Sequence, residues 1–513
     1  MAGPARALFS LSGWAAAAIL AGCSGKPDAP ATAEAPQAAA PAPSGAKRGE
    51  AGLSAAPTAP PPLPADPIPA TAAKRKGDEG RGAPRWAIRL GGTKAESGRA
   101  VAVGPDGALT ITGLFRDEVD FGGTKLTARG ADGFVARLGP DGAMRWVRQL
   151  GSPGDDIADA LAVDGQGNAI VAGSFSEEMT IGDGALRSSG ADDMFVASFD
   201  PEGRRRWAKR MGGVAVDGAD GVAVSATGAV AVIGSYTGYV DLGGGHELVG
   251  TGDTDILLVV LEPDGVVRWA RGWSSPAADE GRAVGFDAAG NLFVLAEFSR
   301  AIDFGGGAIE SVGNRDLAVV KLDPAGKLVW SRRFGSNLDE LGVGLAVDPA
   351  GSVIITGSFD DTLDFGDGVM KTAGRSDVFV AKLAPDGHTL WSRKLGNTDE
   401  DIGVGVATDP FGNAYVAGWF WRSLDLRGAP VPSAGKKDAF LWALDPSGEG
   451  LWLESFGGVE DDYGRGVAAT RDAVYFTGTF HRTIRFGAVE LTAVDAPRAR
   501  LALGDAFVAA LRR

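Results

Sequence analysis

The chain has 513 residues, which is enough for two or more domains or for one large all-β domain. Acidic residues outnumber basic residues by 65 to 50, which gives a formal net charge of −15. This balance argues against nucleic acid or an anionic membrane surface as the main partner. The single cysteine excludes an intrachain disulfide, and the three histidines are too few and too scattered to favour a histidine-based catalytic or metal site.

The N-terminal segment carries a cation, Arg6, followed by an apolar run of about fifteen residues. That run is too short to span a bilayer and is typical of a signal-peptide core. It ends in Leu20-Ala21-Gly22-Cys23, which resembles the lipobox of bacterial lipoproteins. The resemblance implies that residues 1–22 are a signal peptide and that Cys23 is acylated and holds the protein at a membrane. An ordinary small-residue cleavage site beside an unrelated cysteine is the alternative.

Residues 23–84 form a linker rich in alanine and proline, with stretches such as "APQAAAPAPSGA" and "APTAPPPLPADPIPA". They show no apolar periodicity and cannot bury enough surface to offset chain entropy, so the sequence predicts a disordered tether. By the lipoprotein resemblance, Ser24 after the cysteine implies passage to the outer membrane of the cell envelope. Whether the domain then faces the periplasm or the outside is left open.

From Trp86 onward the chain repeats with a period of 60 to 62 residues. A tryptophan marks each repeat, at Trp86, Trp146, Trp207, Trp269, Trp330, Trp391 and Trp452. An aspartate keeps the same phase, at Asp132, Asp193, Asp255, Asp316, Asp377, Asp438 and Asp505. A third marker is glycine followed two residues later by an aromatic residue, as at Gly418 and Phe420, which Ala296 breaks in one repeat. These markers indicate a tandem repeat.

Each repeat is predicted to form four strands, which we call a, b, c and d. In one repeat they are "LGVGLAVD", "SVIITGSF", "DVFVAKL" and "HTLWSRKLG". Turn sequences such as Asp348-Pro349-Ala350-Gly351 indicate tight hairpins between a and b and between c and d, whereas the b–c and d–a connections are longer. Repeated four-stranded sheets indicate a β-propeller. Through "GNAYVAGWF", "GNAIVAGSF" and "DFGG", residues 85–513 resemble the bacterial seven-bladed propeller repeat family, which implies a fold but no particular activity.

The expected fold class is therefore all-β, a seven-bladed β-propeller of four-stranded antiparallel blades. The folded part opens with a d-type strand, "RWAIRLGG", and finishes with a c-type strand, "DAFVAALRR". The strand counts balance only if residues 86–91 pair with residues 505–512, which would close the ring and remove unpaired sheet edges. The recurring tryptophans are expected to pack between blades, and the recurring aspartates to cap the turn before strand c through backbone N–H groups.

Acidic residues recur nine to ten positions after each marker tryptophan, in the d–a connection. They are Glu96, Asp155 and Asp156, Asp217, Asp279 and Glu280, Asp339 and Glu340, Glu400 and Asp401, and Asp461 and Asp462. The d–a and b–c connections should share one face, where these acids would focus negative potential. The alternative is that they are ordinary loop carboxylates that cap turns. Calcium binding stays open, although no loop has the spacing of a dedicated calcium site, and no other cofactor is expected.

One repeat departs from the others with "AGWFWRSLDLRG", which places Trp419 and Trp421 at the end of strand b. Surplus aromatic side chains on a rim are typical of recognition sites, and packing beneath the loop is the alternative. No catalytic residue is predicted. The sequence therefore favours a monomeric lipoprotein of the outer membrane whose long-loop face binds or scaffolds an envelope protein or glycan. A carbohydrate-active propeller enzyme and an outer-membrane assembly factor are the alternatives.

Overall fold

The computed structural model describes residues 80–151, 153–426, 429–494 and 504–513. The described residues form β-strands and turns, so the predicted all-β class is confirmed. The predicted signal peptide, Cys23 and the predicted linker up to residue 79 lie outside the described residues. Gly82, inside the predicted linker, already donates a backbone hydrogen bond to the Arg512 carbonyl oxygen at 2.9 Å.

The strands are numbered in chain order and fall into sets of four that follow the predicted order a, b, c, d. The a strands are β2 (Ser97–Val103), β6 (Asp156–Val163), β10 (Gly218–Val224), β16 (Glu280–Phe286), β22 (Glu340–Val347), β26 (Asp401–Thr408) and β30 (Tyr463–Ala469). The b strands are β3 (Leu109–Asp120), β7 (Ala169–Ile181), β11 (Val230–Tyr236), β17 (Leu292–Phe298), β23 (Val353–Asp364), β27 (Ala414–Leu426) and β31 (Ala473–Phe480).

The c strands are β4 (Lys125–Leu138), β8 (Gly184–Phe199), β14 (Asp255–Leu261), β20 (Asp316–Leu322), β24 (Val369–Leu383), β28 (Ala429–Leu444) and β34 (Asp505–Arg512). The d strands are β5 (Met144–Gly151), β9 (Arg205–Met211), β15 (Val267–Trp273), β21 (Leu328–Phe334), β25 (Thr389–Leu395), β29 (Gly450–Phe456) and β1 (Pro84–Gly92). Three b–c connections contain short paired strands, β12 (Tyr239–Gly243) with β13 (His246–Val249), β18 (Ala301–Ile302) with β19 (Ile309–Glu310), and β32 (Thr483–Phe486) with β33 (Val489–Thr492).

Within each set the strands pair antiparallel in the order a–b–c–d. The last set is completed by the first strand of the chain, because β1 pairs with β34 from Trp86 opposite Ala510 to Leu90 opposite Ala506. Each a strand also contacts two other a strands, in the succession β2, β6, β10, β16, β22, β26 and β30, and β30 contacts β2. The hydrophobic core lies between neighbouring sets, where for example Phe293 and Leu295 of one sheet pack with Phe359 and Phe379 of the next.

The recurring glycine of strand b is required by a close approach of two backbones. Strand a carries a bulge where it meets this glycine, as between Gly403 and Gly405. A Cβ atom built on Gly418 would lie 2.1 Å from the carbonyl oxygen of Ile402, which no side chain tolerates. The glycine marker in the sequence is therefore a packing feature of the sheet.

Six of the marker tryptophans lie against the c–d turn of the following set. Trp146, for example, donates its indole N–H to the Pro201 carbonyl oxygen at 2.8 Å. The turn glycine of the same hairpin, Gly203, has a φ of 77° and lies so close to the Trp146 ring that a Cβ atom there would clash with it. The proline at the second position of the turn favours the hairpin, and the glycine at the fourth position makes room for the tryptophan. Burial differs among the set, since Trp391 is buried and Trp330 is only half-buried.

The recurring aspartate at the start of strand c caps the turn before it. Asp438, which is buried, accepts the backbone N–H of Ala434 at 2.8 Å. Asp193 combines such a bond, from Ser189, with an ion pair to Arg210 on strand d at 2.8 Å. The predicted capping by backbone N–H groups is confirmed for these aspartates, and the ion pair with strand d is an addition that the sequence analysis did not identify.

The b–c and d–a connections begin at the same end of the sheets, as predicted. Thr237 in a b–c connection donates its N–H to Asp217 in a d–a connection, and Arg315 forms a β-bridge with Asp339 in the same way. The b–c hairpins do not stay on that face, however. The Phe365 carbonyl oxygen, at the tip of one hairpin, is hydrogen-bonded by Thr389 at the start of strand d. These hairpins therefore fold back over the outer strands, whose edges they cover.

Candidate functional site

One acid in each predicted cluster is buried beneath the d–a connection. Asp462 accepts the backbone N–H of Gly458, four residues earlier, at 2.7 Å, and that of His481, just after strand β31, at 3.0 Å. Asp401 is bound in the same way by Asn397 and Trp421, at 2.8 and 3.3 Å. The buried acids at this position are Glu96, Asp156, Asp217, Asp279, Glu340, Asp401 and Asp462. Since they are enclosed by the protein, the expectation that they lie open to a partner is wrong for this half of the set.

Burial also changes the acidity of these carboxyl groups. Desolvation raises the pKa of Asp462 to about 8, although the N–H groups of His481 and Gly458 lower it. Desolvation likewise raises the pKa of Asp401 to about 7 and that of Glu340 to about 7. A buried carboxylate is poorly solvated, and its hydrogen bonds only partly replace the lost water. These carboxyl groups therefore hold the backbone of the loops in place and are not part of a solvent-exposed acidic surface.

The remaining acids of the clusters lie nearer to solvent and several are paired with cations. Asp155 Oδ1 lies 3.4 Å from Arg116 Nη1, and Glu400 Oε2 lies 3.6 Å from Lys437 Nζ. Glu280 differs from the rest, since it is buried and contacts Arg282. Asp339 is exposed and Asp461 is half-buried. Cations therefore offset part of the negative potential that the sequence predicts for this face.

Both surplus aromatic residues belong to a cluster centred on Lys437 of strand β28. The Lys437 Nζ atom lies 3.8 Å from the ring centre of Trp419, 5.6 Å from that of Trp421 and 5.7 Å from that of Tyr463. Such contacts between a cation and aromatic faces are attractive, most strongly when they are shielded from water. Trp419 is buried, as the packing alternative requires, whereas Trp421 is 37% exposed and remains on the surface. The protein's own lysine occupies this aromatic cluster.

A second group of charged side chains lies where the a strands contact one another. The position three residues after the buried acid holds Arg99, Asp159, Asp220, Arg282 and Arg465 in five sets, and Val343 and Val404 in the other two. Arg99 Nη1 lies 3.6 Å from Asp159 Oδ1 across neighbouring sets. Burial raises the pKa of Asp220 to about 8, although Arg282 lowers it, and burial lowers the pKa of Arg465 to about 9. We call these five residues the charged cluster of the a strands.

The charged cluster extends into the sheet through Glu297 of strand β17. Glu297 Oε2 accepts hydrogen bonds from Arg282 Nη2 and Arg315 Nη1, both at 2.9 Å. Its Oε1 accepts the backbone N–H of Gly342, in the next a strand, at 3.0 Å. Glu297 is buried and stands where another repeat has Ser358. The two arginines, which belong to the same set as Glu297, offset its charge. The bond from Gly342 connects Glu297 to the next set.

The sequence analysis missed the charged cluster, Glu297 and Lys437. The cluster could have been found by aligning the repeats. The glycine and apolar positions of strand a recur from repeat to repeat, whereas this one position changes among arginine, aspartate and valine.

Within the described ranges, no group of three or more His, Cys, Asp or Glu residues is arranged to hold a metal ion. Nor does the described part of the chain contain a helix long and apolar enough to cross a membrane.

A family model described as a β-propeller repeat matches residues 390–419. The chain is 32% identical over 185 residues to the regulatory protein FlaEY of Caulobacter vibrioides, a match that covers 34% of this chain and 19% of FlaEY. It is 25% identical over 203 residues to an uncharacterized WD repeat-containing protein of Acanthamoeba polyphaga mimivirus, covering 33% of this chain and 14% of that protein. The chain thus matches less than a fifth of the length of either relative.

Among solved structures, the WD40 domain of Neurospora crassa Pan2 aligns with 81% of this chain and 89% of its own length, at 11% identity and a TM-score of 0.40. The family model and the WD-repeat relative agree with the recurring four-stranded units of the structure. The chain is an all-β protein built from β-propeller repeats.

Proposed function

We propose that the sets of four strands are seven blades of one closed ring. Two observations support closure. The a strands contact one another in an unbroken succession that returns from β30 to β2. In addition, β1 supplies the d strand beside β34, so the last blade contains both the first and the last described strand. Under this proposal the charged cluster of the a strands lines the central channel.

We also propose that the protein is a cell-envelope lipoprotein of the outer membrane, anchored through acylated Cys23. The support is the sequence Leu20-Ala21-Gly22-Cys23 after an apolar run, followed by a linker rich in alanine and proline. Acyl chains would hold the protein at a membrane that its net charge of −15 would not itself favour. The linker would set the distance between that membrane and the propeller.

The propeller repeat fold suggests a protein-binding or scaffold module, and we propose that its working surface is the face of the d–a connections around the channel mouth. The observation that carries this proposal is the charged cluster, because its side chains vary where the repeat scaffold needs no charge. The rim of the same face carries exposed apolar side chains in the d–a connections, including Val214, Leu338 and Val459, and the exposed edge of Trp421. Apolar anchors beside charged groups fit an envelope protein that presents a charged segment.

Site-directed photo-crosslinking in intact envelopes tests this face. A photoreactive residue at Leu338, which is 43% exposed in a d–a connection, should give a discrete crosslinked product. The matched control is Val266, which is 54% exposed in a c–d turn at the opposite end. Both positions are open enough to accept the substitution without unfolding the domain. Products from Val266 but not from Leu338 would show that the working face has been assigned to the wrong end.

A further inference from the structure

The tryptophan of the sixth set lacks the hydrogen bond that its counterparts make. The other six indole N–H groups each donate to a carbonyl oxygen in the c–d turn of the following set, at 2.8 to 3.2 Å, as Trp86 does to Pro140 and Trp391 to Pro446. Trp452 is only 7% exposed, yet its Nε1 has no hydrogen-bond partner among the described residues. An unpaired buried donor is unfavourable, so the turn opposite Trp452 must differ from the turns opposite the other six tryptophans.

The cause is the construction of the turn opposite Trp452. In the set that follows Trp452, the c–d turn is not one continuous hairpin. Two separate segments, residues 80–83 and 511–513, lie side by side in its place. Gly82 N donates to Arg512 O at 2.9 Å and Arg512 N donates to Ala83 O at 2.8 Å. These bonds reproduce those of a continuous hairpin, in which Gly142 N donates to Gly139 O and Gly139 N donates to Ala143 O. A Cβ atom on Gly82 would lie 3.3 Å from the Trp452 ring and closer still to the Glu454 side chain, whereas the atoms nearest to one on Gly142 all belong to Trp86. No carbonyl oxygen accepts the Trp452 indole N–H among the described residues.

A cleft of about 1100 Å³ opens at this place, on the side of the domain that carries the tight turns. Its lining includes Arg81, Arg85, Arg471, Arg512 and Arg513, together with Trp452. Asp472 is the single acidic residue among the residues that line it. Five arginines thus converge in one cleft of a chain whose formal net charge is −15.

Most of these cations are not neutralised by the protein. Arg513 Nε pairs with Asp409 Oδ2 at 2.6 Å and its guanidinium carbon lies 4.0 Å from the ring centre of Phe411. In contrast, Arg85, Arg471 and Arg512 form no ion pair with any residue that the structure describes. Guanidinium groups bind carboxylate and phosphate oxygens through paired N–H donors, and the attraction is stronger in a recessed site than on an open surface.

We propose that this cleft binds a small organic or inorganic anion with two or more carboxylate or phosphate groups. The arginines supply the charge and paired N–H donors, and the side chains of Trp452 and Tyr475 form an aromatic wall. The site lies at the opposite end from the d–a connections, so it is independent of the partner proposed for that face.

Calorimetric titration of the full chain with pyrophosphate and with citrate at low ionic strength tests the proposal. Binding of either anion is expected, and the comparison tells phosphoryl from carboxylate chemistry. Arg85→Ala combined with Arg471→Ala should weaken binding at least tenfold, since each lost charged hydrogen bond is worth about 1.5–3 kcal/mol. The control removes two cations elsewhere on the same side, Arg204 in a c–d turn and Arg268 at the start of strand β15, through Arg204→Ala and Arg268→Ala. It should leave the affinity within about twofold, as expected for distant exposed charges.

A second measurement follows the indole N–H groups by nitrogen-15 NMR. The Trp452 signal is identified as the one lost in Trp452→Phe, and it should shift when pyrophosphate or citrate is added to the wild-type protein. The proposal is overturned if neither anion binds, or if both double variants bind equally well. It is also overturned if the anion shifts other indole signals and leaves that of Trp452 unchanged.

Discussion

Replacing tryptophan by phenylalanine at two equivalent positions should give clearly different losses of stability. Trp391 and Trp452 are both buried, at 5% and 7% exposure, and occupy the same place in consecutive d strands. Trp391 donates its N–H to the Pro446 carbonyl oxygen at 3.0 Å, whereas the Trp452 N–H has no partner among the described residues. The loss of ring volume is the same at both sites, so it cancels in the comparison.

The hydrogen bonds do not cancel. Trp391→Phe loses a hydrogen bond worth about 0.5–1.5 kcal/mol, while Trp452→Phe removes an unpaired buried donor that costs about 1–3 kcal/mol. The free energy of unfolding should therefore fall by roughly 2–4 kcal/mol more in Trp391→Phe than in Trp452→Phe. Urea denaturation of both variants and the wild type measures this difference. Equal losses would refute the reasoning, because they would mean that the Trp452 N–H is already satisfied. Trp146→Phe, which loses a 2.8 Å bond, is the control and should behave like Trp391→Phe.

Three further outcomes are expected. The raised carboxyl pKa values, about 8 for Asp462, mean that the folded state binds more protons than the unfolded state, so thermal stability should increase as the pH is lowered from about 8 to about 5. Asp462→Asn should show a weaker dependence, and a rise of stability with pH would contradict the assignment. Cys23→Ala should release the protein from membrane pellets in fractionation, and full retention would exclude lipid at this residue as the anchor. Deleting residues 84–92 should lower the melting temperature far more than deleting residues 30–70, since the first removes strand β1 and the second shortens the predicted linker. Equal melting temperatures for the two deletions would contradict a stabilising role of β1.

The sequence predicted the strands well because the packing requirements recur in every repeat. The steric demand at Gly418 and the cap formed by Asp438 are local, so their spacing gives both the strand order and the partner of β1. The sequence analysis did not separate the buried acid of each pair from its neighbour. Asp461 and Asp462 are adjacent in the sequence, but only the second has its carboxylate bound to the N–H groups of Gly458 and His481. The difference depends on how strand β31 approaches the loop. Its signal in the sequence is phase, because the buried acid stands ten residues after the marker tryptophan in all seven repeats.

The candidate site was harder to predict for the same reason. Trp419 and Trp421 stood out as extra aromatic residues, but Lys437, which lies between them, comes from the next strand and looks like an ordinary surface lysine in the sequence. Arg99 and Asp159 lie in different repeats and meet only because neighbouring a strands are in contact. Interactions that require two repeats to come together are visible only in the folded chain.

The pairing of β1 with β34 has a mechanical consequence. A force applied to β1 from its N-terminal end along its own axis runs parallel to the strand. The hydrogen bonds from Trp86 to Leu90 run across that direction, so the load falls on all of them together as shear and does not peel them apart in sequence. Because β1 also pairs at Gly91 and Gly92 with β3, part of the load passes into the adjacent sheet. The pairing of β1 thus suits it to resist a force along its own length.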